Sequence, residues 1–123
     1  MKIAFDCLGT LTGSHGPALA EAIVKLQSLG HECVIWSSLY SYTIDMKNKY
    51  ALECETMSKR SKHEMADYEM DLFDIAVDDD RGQTYLGAKK FVYVDEITKN
   101  SDAIVAFILK RASEPKGESN DFE

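Results

Sequence analysis

Four groups of residues in this chain have the types and spacing for chemistry on a phosphate or a metal ion. Asp6 follows the apolar run Ile3-Ala4-Phe5 and is followed at once by a Gly9-Thr10 turn. Ser37 and Ser38 close a second apolar run, Cys33-Val34-Ile35-Trp36. Lys59, Arg60 and Lys62 form a basic cluster. Asp78, Asp79 and Asp80 follow the apolar run Ile75-Ala76-Val77 that ends the strand Phe73 to Val77. A carboxylate at the carboxyl end of a strand is placed to attack a substrate or bind a metal, because open α/β sheets take ligands there. Consecutive carboxylates repel one another, and a divalent cation relieves that repulsion. Mg²⁺ suits such a set, since it takes oxygen ligands from one or two carboxylates, water and a substrate phosphate. A serine hydroxyl can donate to a phosphate oxygen, and a lysine can neutralise one.

Each group also has a plainer reading. Asp6 could only cap the turn after it. Asp80 is expected to cap a following helix. One of Ser37 and Ser38 is expected to cap the helix after them, as serine commonly does. Any one of the basic residues could be a solvated helix end. The site would then lack a cation, which favours a lysine reaching it.

These residues need elements to carry them, and the pattern alternates strand and helix. Strands are expected over residues 2–7, 32–36 and 73–77, with a short one over 53–57 and a last one over 91–94. Leu19, Ala20, Ile23, Leu26 and Leu29 recur at helical spacing between Ala18 and Leu29. Pro17 suits the first turn of that helix and Gly30 its C-terminal exit. Further helices are expected over 40–51, over 61–70 and over 97–111. The second of these has Ser61 and Glu64 in capping-box spacing. Residues 81–88 read as a short helix or turn. Alternation of this kind implies right-handed crossovers and a mostly parallel sheet. The fold class is therefore α/β, a three-layer Rossmann-like sandwich of about five strands with helices on both faces. Asp6, Ser37 and Asp78/Asp79 would end different strands and converge on one edge.

Composition sets the limits. The 123 residues suffice for one core, here residues 1–112, with 113–123 read as a disordered acidic tail. The net charge of −7 disfavours bulk nucleic acid as a ligand. No apolar run is long enough for a membrane helix, and the N-terminus lacks the pattern of a signal peptide, so a cytoplasmic protein is expected. Cys7, Cys33 and Cys54 form no CxxC pair and read as inert thiols. His15, His31 and His63 lack metal-ligand spacing, although His15 is close enough in sequence to Asp6 to lie over its site. No nucleophile elbow, P-loop or dinucleotide fingerprint is present.

Together these residues resemble the haloacid dehalogenase-like (HAD-like) superfamily of hydrolases. Its first motif, DxDGT or DxxGT at the end of strand one, matches Asp6-Cys7-Leu8-Gly9-Thr10. Its second, an apolar strand ending in Ser or Thr, matches Val34-Ile35-Trp36-Ser37. Its third is a lysine, for which Lys59 is the first choice and Lys62 the second. Its fourth, an acidic pair after an apolar strand, matches Ile75-Ala76-Val77-Asp78-Asp79. The order and spacing agree over residues 1 to about 110.

The resemblance implies an Mg²⁺-dependent phosphohydrolase working through an aspartyl-phosphate on Asp6. Ser37 and Lys59 would be catalytic. Ser37, Ser38, Thr10 and Lys62 would contact the phosphorylated substrate, small or macromolecular. Asp6, the Leu8 backbone carbonyl, Asp78 and Asp79 would hold Mg²⁺. The family's phosphatases usually carry a second aspartate where this chain has Leu8. That residue protonates the leaving oxygen and later activates water, help worth about 10²–10⁴-fold. Leu8 can do neither, so the alternative is a catalytically impaired domain that binds metal, phosphate or a protein partner. A structural domain without a site is the third reading. The spacing also leaves no room for a cap domain, so the site should be open, or covered by a second copy in a homo-oligomer.

Overall fold

The computed structural model describes residues 1–59, 72–81 and 87–115. The expected helix over 61–70 with its Ser61/Glu64 cap, Lys62, most of the 81–88 segment and the end of the tail lie outside the described residues.

Five strands form one sheet: β1 (Lys2–Asp6), β2 (Glu32–Ser37), β3 (Glu55–Ser58), β4 (Phe73–Asp78) and β5 (Ala88–Tyr93). Their order is β3-β2-β1-β4-β5, and every pairing is parallel. The chain is thus an α/β protein of Rossmann-like type. Its central strands are apolar without alternation because both of their faces are covered, the usual state of a parallel sheet.

Helix α1 (Gly16–Ser28) joins β1 to β2, α2 (Tyr40–Lys49) joins β2 to β3, and α3 (Ser101–Ser113) follows β5. In α1 the stripe Leu19, Ala20, Ile23 and Leu26 is buried. Gly30 stands just past its end at φ +94°, a conformation that glycine adopts without steric cost. The main core joins that stripe to Ile3, Phe5, Cys33, Ile35, Ile75 and Val77 of the sheet and to Ile104 and Ile108 of α3. A smaller cluster of Ala4, Val34, Trp36, Phe73 and Ala76 lies apart from it. Alternate residues of β1 and β2 enter the two clusters, as the period-2 pleat requires. Trp36 and Phe73 meet edge to face at 4.9 Å.

Most boundaries shift by one or two residues, as in β3, which runs Glu55–Ser58 and not 53–57, and two shift further. The last helix begins at Ser101, not Ile97. Ile97 is extended (φ −118°, ψ 157°), and the Asn100 side chain caps the helix by accepting from the Ala103 N–H at 2.9 Å. The apolar period runs on through Ile97, but the cap sets the start. The last strand begins earlier, at Ala88, and ends at Tyr93, with Val94–Glu96 forming one 3₁₀ turn. It is an edge strand, and Lys89 and Lys90 hide it from a search for apolar runs. No helix among the described residues is long and apolar enough to cross a membrane.

Candidate active site at the carboxyl edge of the sheet

Along the chain β2 and β3 extend the sheet on one side of β1, whereas β4 and β5 lie on the other. The order therefore reverses at β1, and a crevice opens beyond the carboxyl ends of β1 and β4. Asp6 ends β1 and Asp78 ends β4. Phe5 is in register with Val77, so the two aspartates leave neighbouring strands at the same level. Both are buried, at 7% and 2% exposure.

Lys59 reaches both of them. Ser37 is in register with Ser58, and the Lys59 N–H donates to the Ser37 carbonyl at 2.8 Å, which extends the β2–β3 pairing by one step. From there the lysine side chain passes the Trp36 ring, with Nζ 5.3 Å from its centroid. Nζ donates to Asp6 Oδ1 at 2.9 Å and to Asp78 Oδ2 at 3.0 Å. The remaining carboxylate oxygens are also held. Thr10 Oγ1 donates to Asp6 Oδ2 at 3.2 Å. The backbone N–H groups of Asp79 and Asp80 donate to Asp78 Oδ1 at 2.7 and 3.0 Å.

One ammonium thus serves two buried carboxylates. Burial pushes the Asp6 carboxyl up to about 6; Lys59 pulls it down and Asp78 pushes it further up. Burial also works against the charge on Lys59, but Asp6 and Asp78 outweigh it and hold the ammonium above its ordinary value. Among the described residues two buried carboxylates share one ammonium here, a balance of charge that favours a bound cation.

The turn from Cys7 to Leu11 brings a further carboxylate close. Gly9 sits at φ +81°, and a Cβ there would run into Oδ2 of Asp79. Glycine is thus required both by the backbone and by the closeness of Asp79. Asp6, Asp78 and Asp79 each offer an oxygen within 4.8 Å of the others. Such a donor set of carboxylate oxygens fits Mg²⁺.

Asp6, Ser37, Ser38, Lys59 and Asp79 line one cavity of about 190 Å³, together with Leu8, Leu39, Tyr42 and Asp80. Most of the residues expected from sequence therefore meet in one place. Thr10 is wholly buried beneath the cavity and braces Asp6. Neither serine occupies the cap position of α2, which is Leu39; Ser37 Oγ accepts from the Leu39 N–H at 3.2 Å instead. His15 does not line the cavity; its Nε2 lies 3.0 Å from the Ile97 carbonyl oxygen. Leu39 and Tyr42 were not legible as lining residues. Leu39 directly follows the serine pair and Tyr42 lies in the first turn of α2, and neither residue type carries a local signal for a cavity wall.

No protein-family model, curated protein or solved structure matches the chain.

Proposed function

We propose that this protein is a small, capless HAD-like phosphohydrolase that uses Mg²⁺ and forms an aspartyl-phosphate on Asp6. The observation that carries the reading is the Lys59 ammonium bridging Asp6 and Asp78 at 2.9 and 3.0 Å, on a cavity that Ser37 also lines. A carboxylate at the floor of a small polar cavity, braced on both oxygens, is positioned as a nucleophile.

In this reading an Asp6 oxygen attacks phosphorus while the bond from phosphorus to the leaving oxygen breaks, and that oxygen departs with the bonding pair. Lys59, Ser37 and Ser38 hold the phosphoryl oxygens in place. Water then cleaves the aspartyl-phosphate, releasing inorganic phosphate and restoring Asp6. Asp6, Asp78, Asp79 and the Leu8 carbonyl would hold Mg²⁺, which supplies charge neutralisation for the phosphoryl oxygens. The 190 Å³ cavity lies below the roughly 300–1,000 Å³ of pockets that enclose drug-sized ligands. It therefore suits the phosphoryl group itself, with the rest of a small or macromolecular substrate lying outside.

The test is hydrolysis of p-nitrophenyl phosphate with and without Mg²⁺, using Asp6→Asn as control. Nitrophenolate leaves without a proton, so the first step does not depend on an acid at position 8. The reading expects Mg²⁺-dependent turnover that Asp6→Asn abolishes.

Leu8 favours one second reading, a domain that binds Mg²⁺ and phosphate without turning over. Its side chain is 60% exposed at the cavity and carries no proton. Mg²⁺ affinity without turnover, with activity gained in Leu8→Asp, would select that reading over the first.

A further inference from the structure

We infer that Trp36 is a positioning residue of the phosphoryl-transfer site: the face of its indole ring fixes the Lys59 ammonium at Asp6 and Asp78. The inference rests on the phosphohydrolase reading for what Lys59 does, and it adds what keeps Lys59 in place.

Lys59 leaves the end of β3 and Asp6 ends β1, so the lysine side chain must cross β2 to reach the aspartate. Trp36 is the β2 residue at that level. It is in register with Asp6 on one side and with Met57 on the other. Side chains alternate across a sheet, and Lys59 follows Met57 by two residues. It therefore leaves on the face where Met57 packs with Trp36. Asp6 and Asp78 follow Ala4 and Ala76 of that face in the same way. The crossing runs over the indole, with Nζ 5.3 Å from the ring centroid, inside the roughly 6 Å at which a ring face attracts a cation. The ring itself is held, since it is buried and Phe73 meets it edge to face at 4.9 Å.

Packing alone does not account for an indole here. Among the described residues Trp36 Nε1 is buried with no hydrogen-bond partner. A buried donor without a partner is costly, and a buried indole N–H usually finds one. Phenylalanine or leucine would fill an apolar site without that cost. Neither matches tryptophan, whose ring face attracts a cation most strongly. The ring also attracts the ammonium without offering a lone pair, so it does not compete with Asp6 and Asp78 for a metal ion. When Asp6 takes the phosphoryl group and Asp78 turns its charge to a metal ion, both carboxylates attract the ammonium less. The ring face is unchanged by either event and keeps Lys59 at the phosphoryl oxygens.

The chain contains one tryptophan, so fluorinated tryptophans incorporated in its place alter position 36 alone. Each fluorine withdraws electron density from the ring face and nearly preserves its shape, so the fold should survive. From tryptophan through its mono-, di- and trifluoro forms, kcat for p-nitrophenyl phosphate with Mg²⁺ is expected to fall stepwise, by about 10-fold in all. The unfolding equilibrium constant of the metal-free protein in urea is expected to rise in the same order. In Lys59→Met that constant is expected to lose its dependence on fluorine, because the ring and the ammonium act as a pair.

An unfolding constant that does not vary with fluorine content, or that varies equally in Lys59→Met, would overturn the inference while leaving Asp6 as the nucleophile. An unfolding constant that varies while kcat does not would overturn the positioning role and leave only a stabilising contact. A protein with ordinary tryptophan that turns over no p-nitrophenyl phosphate would overturn the phosphohydrolase reading and the catalytic half of the inference with it. The urea series decides in that case too whether the ring holds the ammonium.

Discussion

Lys59 and Asp6 are held 2.9 Å apart although 53 positions separate them in the chain. The lysine leaves the end of β3 and the aspartate the end of β1, with all of β2 between them. Asp78 shares the same ammonium at 3.0 Å, so each carboxylate depends on a charge that it does not have to itself.

Removing that charge should be costly. Lys59→Met leaves two buried carboxylates without their common partner. Loss of one member of a buried ion pair typically destabilises by about 3–5 kcal/mol. Urea denaturation of the metal-free variant should show a loss of that order. Millimolar Mg²⁺ should restore more stability to Lys59→Met than it adds to the wild type, because binding to the folded state alone stabilises it.

The displaced acidity of Asp6 predicts a pH dependence. Its carboxyl titrates at about 6 in the folded protein and at 3.8 when unperturbed. Between those values the folded chain holds a proton that the unfolded chain has lost. This group therefore adds stability to the metal-free protein as pH falls from above 6 toward 3.8. Mg²⁺ needs the ionised carboxylate, so its affinity should be steady well above pH 6 and fall on acidification below it. Calorimetric Mg²⁺ titrations at pH 5, 6 and 8 check this; equal affinity at all three would contradict it.

Gly9→Ala places a methyl group against Asp79 and asks alanine to take φ +81°. The backbone alone should cost about 1–2 kcal/mol. The displacement of Asp79 should weaken Mg²⁺ binding in addition, which the same calorimetry would read.

A substitution away from the site separates fold from function. Arg111 on α3 donates to the Phe91 carbonyl at 2.6 Å and to Glu96 Oε2 at 2.8 Å, tying the last helix to the edge strand. Lysine cannot reproduce that fork. Arg111→Lys should lower stability by about 1–2 kcal/mol in urea denaturation while leaving Mg²⁺ affinity unchanged.

The parts legible in the sequence are those with a local signal. Asp6, Ser37 and Asp78 each follow a run of apolar residues, and a buried parallel strand must read that way. Gly30 and Pro17 marked the two ends of α1 for reasons of backbone geometry. The edge strands were harder to bound, because Glu55–Ser58 is only half covered and Ala88–Tyr93 carries two lysines. The start of α3 is not legible from periodicity, because apolar spacing continues through Ile97 while Asn100 decides the cap. Lys59 could be preferred for its charge and position, but its passage across Trp36 depends on the β2–β3 register, which no local pattern encodes. The wall formed by Leu8 and Leu39 depends on two loops meeting at the sheet edge and was legible only as a leucine in place of an acid.

The central claim is that Asp6 carries the phosphoryl group. The direct measurement is mass spectrometry of the protein acid-quenched during incubation with p-nitrophenyl phosphate and Mg²⁺. A phosphoryl group on the peptide containing Asp6, absent without Mg²⁺ and absent in Asp6→Asn, is the predicted result. Turnover that persists in Asp6→Asn, or a phosphoryl group on another residue, would contradict the account.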